Sequence, residues 1–317
     1  MTSRREQSLW KGSRRGRWDV VGLGEISLDT VGVFSGPARI PGKRELASLD
    51  RQPGGTIATA VLGCQRLGLA SALLGAVGGD AEADEALRPL VDAGVDLSGV
   101  TAVKSAPTRT AFITVEPDSG ERMVHARRSS ALDQDPGALD PATIRQTRAL
   151  LVDASDPEAA AWAADLARAE QIPVVLDADA PWANCERLLF TADFPIVSEG
   201  LACHLGGTPD MLDGLGRLVH EGATLAVATR GEEGCVAVSA ADTLTMPAYP
   251  CRAVDTTGAG DAFRSGFLWG VLEGRGARGV LQAANAAGAL NCRELGAQGA
   301  LPTRPELEAL LAKPGCP

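Results

Sequence analysis

The sequence predicts an α/β protein in which a mostly parallel central sheet is covered by helices on both faces, with a small separate β-sheet beside it. Three observations predict this. Short continuous apolar runs recur between helical stretches: Asp19-Val-Val-Gly-Leu-Gly24, Leu150-Leu-Val152, Val174-Val-Leu176, Pro195-Ile-Val197 and Leu225-Ala-Val-Ala228. Such runs read as strands buried on both faces. Residues 29–53 and 106–126 instead carry short alternating, hairpin-like pieces, which do not fit that sheet. The chain has 317 residues, 45% apolar and 22% charged, enough for one large soluble domain. Aromatics are only 4%, so the core must be built mainly from Ala, Leu and Val.

Taken in order, residues 1–17 form a basic segment. Arg4, Arg5, Lys11, Arg14, Arg15 and Arg17 face a single acid, Glu6. No apolar stretch follows, so a secretory signal is not indicated and a solvated, disordered tail is expected. The folded domain is expected over 18–317, starting with a strand at Trp18. Thr30-Val-Gly-Val-Phe34 suggests an exposed strand. Ile57, Val61, Leu62 and Leu67 fall near helical spacing, which predicts a helix over Gly55–Leu67. Ser71–Val77 reads as a strand, and Asp80–Ala93 as an acidic-faced helix stopped by Gly94. Thr110–Val115, a Pro-Asp-Ser-Gly turn and Arg122–His125 read as a hairpin. Strand and helix then alternate, with helices at Glu158–Ala169 and Met211–His220.

The net charge of −10 argues against nucleic acid or an anionic membrane as the main partner. No apolar run approaches the roughly 18 residues of a membrane helix. The seven cysteines lie far apart with no Cys-x-x-Cys pair, which disfavours a disulfide framework or zinc site and fits a reducing cytoplasm. His125, His204 and His220 have no metal-ligand spacing. Gly22-Leu-Gly24-Glu-Ile-Ser27 lacks the third glycine of a dinucleotide fingerprint. Pro41-Gly-Lys43-Arg44 lacks the upstream glycine and the hydroxyl residue of a P-loop. No nucleophile-elbow motif supports a hydrolase.

The segment with the clearest chemistry is Val254-Asp-Thr-Thr-Gly-Ala-Gly-Asp261-Ala-Phe263. It follows a strand-like segment around Met246 and precedes an amphipathic run with Phe263, Phe267, Leu268 and Val271 on one face. Gly258, Ala259 and Gly260 therefore sit at a helix N-terminus, where unpaired N–H groups and the positive dipole end attract an anion such as phosphate. Asp261 lies in the first turn, beside that site. A carboxylate there can take the proton of an attacking hydroxyl while the N–H groups stabilise a phosphoryl group in transfer.

Val254–Phe263 resembles the C-terminal signature of the PfkB (ribokinase-like) carbohydrate kinase family. Gly54-Gly55-Thr-Ile-Ala-Thr-Ala60, Arg66-Leu-Gly68 and Gly75-Ala-Val-Gly78-Gly-Asp80 resemble its N-terminal signature. The resemblance covers roughly residues 18–310. It implies a ribokinase-like three-layer α/β/α domain with a small β lid over a sugar, and ATP with Mg²⁺ as the phosphoryl source. Asp261 resembles the catalytic base, and Gly258, Ala259 and Gly260 the anion hole. Asp29 resembles the acid that binds sugar hydroxyls, and Gly54 and Gly55 the pair that lets backbone approach the sugar. Thr229-Arg-Gly231-Glu-Glu-Gly234 resembles the loop under the nucleotide phosphates, and Asn285 falls where the family lines the adenine pocket. Asp255, Thr257 and the 296–299 loop resemble a monovalent-cation site, which implies K⁺. Lys43, in the lid, is a candidate for an anionic group on the sugar, as are Arg109, Arg122, Arg127 and Arg128.

The chain departs from that pattern at three positions. Thr59 replaces a sugar-binding Asn, keeping a donor and acceptor on a shorter arm. Ser198-Glu-Gly-Leu201 replaces Asn-x-x-Glu, so Ser198 is the remaining polar group at the nucleotide and Mg²⁺ is expected to be held mainly through ATP phosphates and water. Ala83 replaces a common Gly. Val197–Gly206, Thr59 and Leu176-Asp-Ala-Asp179 are similar to the ketohexokinase and sulfofructose-kinase branch, which leans the substrate toward a ketose. A nucleoside kinase is the alternative within this class, although Tyr249 is the only Tyr from which to build a base platform. A non-catalytic sugar- or nucleotide-binding regulator is the alternative outside it. Exposed lid strands suggest pairing into a homodimer.

Overall fold

The computed structural model describes residues 8–10, 16–34, 45–115 and 122–313. The strands are β1 (Trp18–Leu23), β2 (Ser27–Phe34), β3 (Leu46–Gly54), β4 (Ser71–Gly78), β5 (Asp96–Val103), β6 (Arg109–Val115), β7 (Arg122–Arg127), β8 (Thr147–Asp153), β9 (Val174–Ala178), β10 (Phe194–Ser198), β11 (Ala226–Thr229), β12 (Cys235–Val238) and β13 (Thr243–Met246). The α-helices are α1 (Thr56–Arg66), α2 (Ala81–Ala93), α3 (Pro141–Arg145), α4 (Pro157–Ala169), α5 (Cys185–Thr191), α6 (Glu199–Gly206), α7 (Met211–His220), α8 (Ala259–Leu272), α9 (Ala277–Asn291) and α10 (Arg304–Leu311).

Nine strands form the large sheet in the order β13-β12-β11-β10-β9-β8-β1-β4-β5. All pairings from β11 to β5 are parallel, and only the β11–β12 and β12–β13 pairings are antiparallel. Alternation along the buried strands divides the interior in two. Val20, Leu73, Leu151 and Val175 point into the core beneath α1, α8 and α9. Val21, Leu74, Leu150 and Val174 point into the core beneath α4, α5, α6 and α7. Small side chains replace the missing aromatics. Gly266 of α8 lies against Ala283 of α9, and Gly270 against Val280, so a side chain at either would collide with the partner helix. The caps expected for α2 are present, with Asp80 accepting from Ala83 N at 3.1 Å and Gly94 left-handed at φ 78°.

Four strands form the small sheet, in the order β3-β2-β6-β7. β2 pairs antiparallel with β3 and parallel with β6, and β6 pairs antiparallel with β7. These are the two segments expected to leave the main sheet. Val31, Ile113 and Val115 pack on its inner side with Leu295, while Leu49, Phe112 and Met123 are exposed. Lys43 and the turn between β6 and β7 lie outside the described residues. Within the stretch expected to be a solvated tail, Ser8–Trp10 lie on the domain: Leu9 N donates to Arg275 O, and Trp10 meets Phe194 edge-on at 6.2 Å. An apolar Leu-Trp pair inside the basic segment gives those residues surface to bury. Among the described residues, no helix is long and apolar enough to cross a membrane.

Candidate active site

The chain order reverses at β1, which lies between β8 and β4, and crevices at the carboxyl ends of strands open at such points. Asp153 closes β8 there, accepting from Glu25 N at 2.9 Å and from Ser155 N and Oγ. Asp177 follows on β9, directly opposite Asp153 in register.

The N-terminus of α8 faces the same edge. Its lead-in is held by Asp255, which is fully buried. One carboxylate oxygen accepts from Thr257 N (2.8 Å) and Oγ1 (2.7 Å), and the other from Gly296 N (2.8 Å). Gly258 then turns at φ 75° with Ala297 O pressed against its Cα, so a side chain there meets both strain and a clash. Of the three residues expected to form the anion hole, Ala259 has its N–H bonded to Thr256 O at 3.2 Å. Asp261 is half-buried in the first turn. Burial, then the carboxylates of Asp177 and Asp179, push its carboxyl well above the usual range, while Arg264 and Arg122 pull it back.

Arg264 lies one turn further along α8, 3% exposed, and its Nη2 is ion-paired with Asp177 and 3.7 Å from Asp179. Burial pushes the Asp177 carboxyl up to about 7 against the pull of Arg264.

On the lid side, Asp29 and Gly54 are brought together as expected. Asp29 Oδ1 accepts from Ser27 Oγ at 2.8 Å, and a side chain at Gly54 would occupy the place of the other oxygen. Burial raises the Asp29 carboxyl to about 6. Gly55, at φ 93°, backs onto Glu25 O. Arg109 pairs with Glu25 at 2.9 Å, so this candidate for an anionic substrate group already carries a counter-charge. Thr59 is fully buried, and its Oγ1 accepts from Gln298 Nε2 at 3.3 Å. Two lid side chains reach across the crevice. Gln52 of β3 rests on Gly296, and Arg122 of β7 donates to Thr256 O and Oγ1 at 3.2 and 3.1 Å.

On the opposite flank, Ser198 caps α6 by accepting from Leu201 N and donates to Asp179 O at 2.6 Å. Thr229, at the end of β11, donates to Val197 O. Gly231 and Gly234 both take positive φ in the turn that follows. Asn285 is buried, and its amide nitrogen donates to Met246 O and Pro247 O, which ties α9 to the end of β13.

At the candidate cation site, Asn291 Nδ2 donates to Thr257 O and Ala297 O, while its buried Oδ1 has no hydrogen-bond partner. That unpaired oxygen is an acceptor of the kind a hard cation takes. Among the described residues, no group of three or more His, Cys, Asp or Glu can hold a metal.

Sequence reasoning missed Arg264, Gln52 and Asn291, and it noted Asp177 and Gln298 only within the Leu176–Asp179 and 296–299 segments, without these contacts. A signal existed for Arg264, since a charge between Phe263 and Phe267 interrupts an apolar helix and calls for a buried acid. The others depend on contacts between distant segments.

The profile of the pfkB family carbohydrate kinases matches residues 19–304. A protein of Arabidopsis thaliana named "Probable fructokinase-5" is 29% identical over 92% of this chain and 97% of its own. A 5-dehydro-2-deoxygluconokinase of Listeria monocytogenes is 25% identical over 96% and 99%. The structure of Arabidopsis thaliana ribokinase complexed with ribose and ATP superposes with a TM-score of 0.79 at 21% identity, covering 93% of this chain and 99% of that one, a likeness of fold.

Proposed function

The chain belongs to the pfkB family of carbohydrate kinases, and on that premise we propose that it transfers the γ-phosphoryl group of ATP to a hydroxyl of a small sugar, a ketose or related carbohydrate, with Asp261 as the base. The single observation that carries this reading is the half-buried Asp261 carboxylate in the first turn of α8, beside the Gly258 turn and Gly260. Asp261 takes the hydroxyl proton as the sugar oxygen bonds to the γ-phosphorus. The bond from that phosphorus to the β,γ-bridging oxygen breaks, and ADP leaves. N–H groups at the start of α8 stabilise the charge on the phosphoryl oxygens in flight.

Asp29, Gly54 and Gly55 hold the sugar, and Thr59 acts through Gln298. Lys43 is assigned to an anionic sugar substituent. Ser198, Thr229, Gly231 and Gly234 bind the nucleotide phosphates, with Asn285 shaping the adenine side. K⁺ binds at Asp255, Thr257 and the 296–299 loop. Mg²⁺ supplies positive charge to the phosphates. The ketose assignment draws support from the fructokinase name of the Arabidopsis relative. We place the reaction in the cytoplasm, and a homodimer at the lid, whose outer face exposes Leu49, Phe112 and Met123.

ADP release measured across ketoses, pentoses, sugar acids, sugar phosphates and nucleosides tests the reading. Sugar-dependent release with a preference for ketoses is expected. Release with nucleosides alone would make it a nucleoside kinase. Saturable sugar binding with no ADP release would make it a regulator.

A further inference from the structure

We propose that Arg264 and Asp177 form a positioning pair for Asp261: the buried guanidinium fixes the start of α8 at Gly260 and supplies a positive charge that favours the ionised, proton-accepting form of the Asp261 carboxylate. The inference rests on the reading of Asp261 as base.

The geometry is specific. Arg264 follows Asp261 by three residues, so both side chains lie on one face of α8. Its Nη2 is ion-paired with Asp177 Oδ1 at the end of β9 and lies 3.7 Å from Asp179 Oδ1. Its Nη1 lies over Gly260, where a Cβ would stand only 2.6 Å away. The absence of a side chain at Gly260 therefore makes room for the guanidinium directly behind the phosphate-binding turn. Nε is buried without a hydrogen-bond partner.

A buried ion pair whose donors are not all satisfied is an expensive way to join a helix to a sheet, and apolar side chains of similar volume often join them as well or better. Around it, Ala262, Phe263, Ser265, Gly266 and Phe267 are all buried without charge. The pair therefore has to be explained by its position beside Asp261.

Among the described residues, four charged groups act most strongly on Asp261. Asp177 and Asp179 come from the end of β9, Arg264 from α8 itself, and Arg122 from β7 of the lid. Asp177 in turn faces Arg264, Asp179 and Asp153. Arg122 is exposed, and its charge is screened by solvent and salt. Arg264 is the cation that stays beside Asp261 whether or not the lid is closed. Its effect on Asp261 opposes that of burial and of Asp177.

The test titrates the Asp261 carboxyl by carbon-13 NMR in the full chain, with its resonance assigned by its loss in Asp261→Asn. Removing the cation in Arg264→Met should raise the titration midpoint by about one pH unit or more. Removing the anion in Asp177→Asn should move it the other way. The acid limb of the kcat/KM profile for ADP release should follow both shifts. Midpoints unchanged within a few tenths in both variants would overturn the proposal and leave Arg264 a packing residue. If Arg264→Met does not fold, the downward shift in Asp177→Asn decides alone. Shifted midpoints with an unshifted kinetic limb would uphold the charge pairing while removing Asp261 from the role of base.

Discussion

The two ends of the crevice are built differently. The proposed phosphoryl-transfer end is one continuous segment, Asp255–Arg264, whose turn is held by its own Asp255 and Thr257 and then continues as a buried helix. The proposed sugar end is assembled from β2, β3 and β6 of a separate four-stranded sheet, whose inner apolar residues pack with Leu295 and whose β2 and β3 lie against α2. Chemistry that tolerates little displacement is placed on the rigid end. Recognition, which must admit and release a ligand, would then fall to the separate small sheet. Substitutions at the first end should therefore act on kcat, and at the second on KM.

The largest effect is expected for Asp261→Asn, which keeps the shape and removes the base. Its kcat should fall about 10²- to 10⁴-fold with the KM for ATP little changed, read from initial rates of ADP release. Next is Gly258→Ala, which adds a side chain at φ 75° against Ala297 O. Loss of the aligned N–H groups should lower kcat about 10²-fold. The strained backbone should cost about 1–2 kcal/mol in a melting experiment. A change confined to KM would break the contrast between the two ends.

The third prediction concerns pH at the sugar end. The Asp29 carboxyl is raised to about 6, so it protonates as pH falls through that value and can no longer accept two hydroxyl bonds. The KM for sugar should rise below about pH 6 and stay flat above it, and Asp29→Asn should abolish the dependence. Unfolding does not explain such a rise. A carboxyl raised above its unfolded value favours the folded state when protonated, so its contribution to stability declines as pH climbs from about 4 to 6. The smallest effect is expected for Arg122→Gln, which removes the exposed lid contact to Thr256. A loss of about two- to tenfold in kcat/KM, weaker at high salt, would show how far the lid shares in the transfer step.

The same contrast explains what the sequence made legible. The phosphoryl-transfer turn and the ends of α2 are local: glycines, a capping acid and apolar periodicity lie within a few residues of one another. The two lid segments were visible because alternation distinguishes them from the continuous runs of the main sheet. β5 was not, because its residues are half-buried without a regular alternation. β12, a four-residue strand between β11 and β13, was missed, and β13 was marked only as the strand-like segment around Met246. The Arg264–Asp177 pair spans 87 positions, and neither residue alone announces the other. Resemblance assigned Asn285 to an adenine pocket, and the structure adds that its amide nitrogen is engaged by Met246 O and Pro247 O.

Gln52 rests on Gly296, in the loop that Asp255 holds from the other side. One stretch of backbone is thus touched from one side by the small sheet and from the other by the residue that holds the α8 turn. Two ligands that press on a common wall are thermodynamically linked, and linkage is reciprocal. Whatever factor a bound sugar applies to nucleotide affinity, the nucleotide must apply to the sugar. Calorimetric titration of sugar with and without a non-hydrolysable ATP analogue, repeated in the reverse order, measures that factor twice and should return one value.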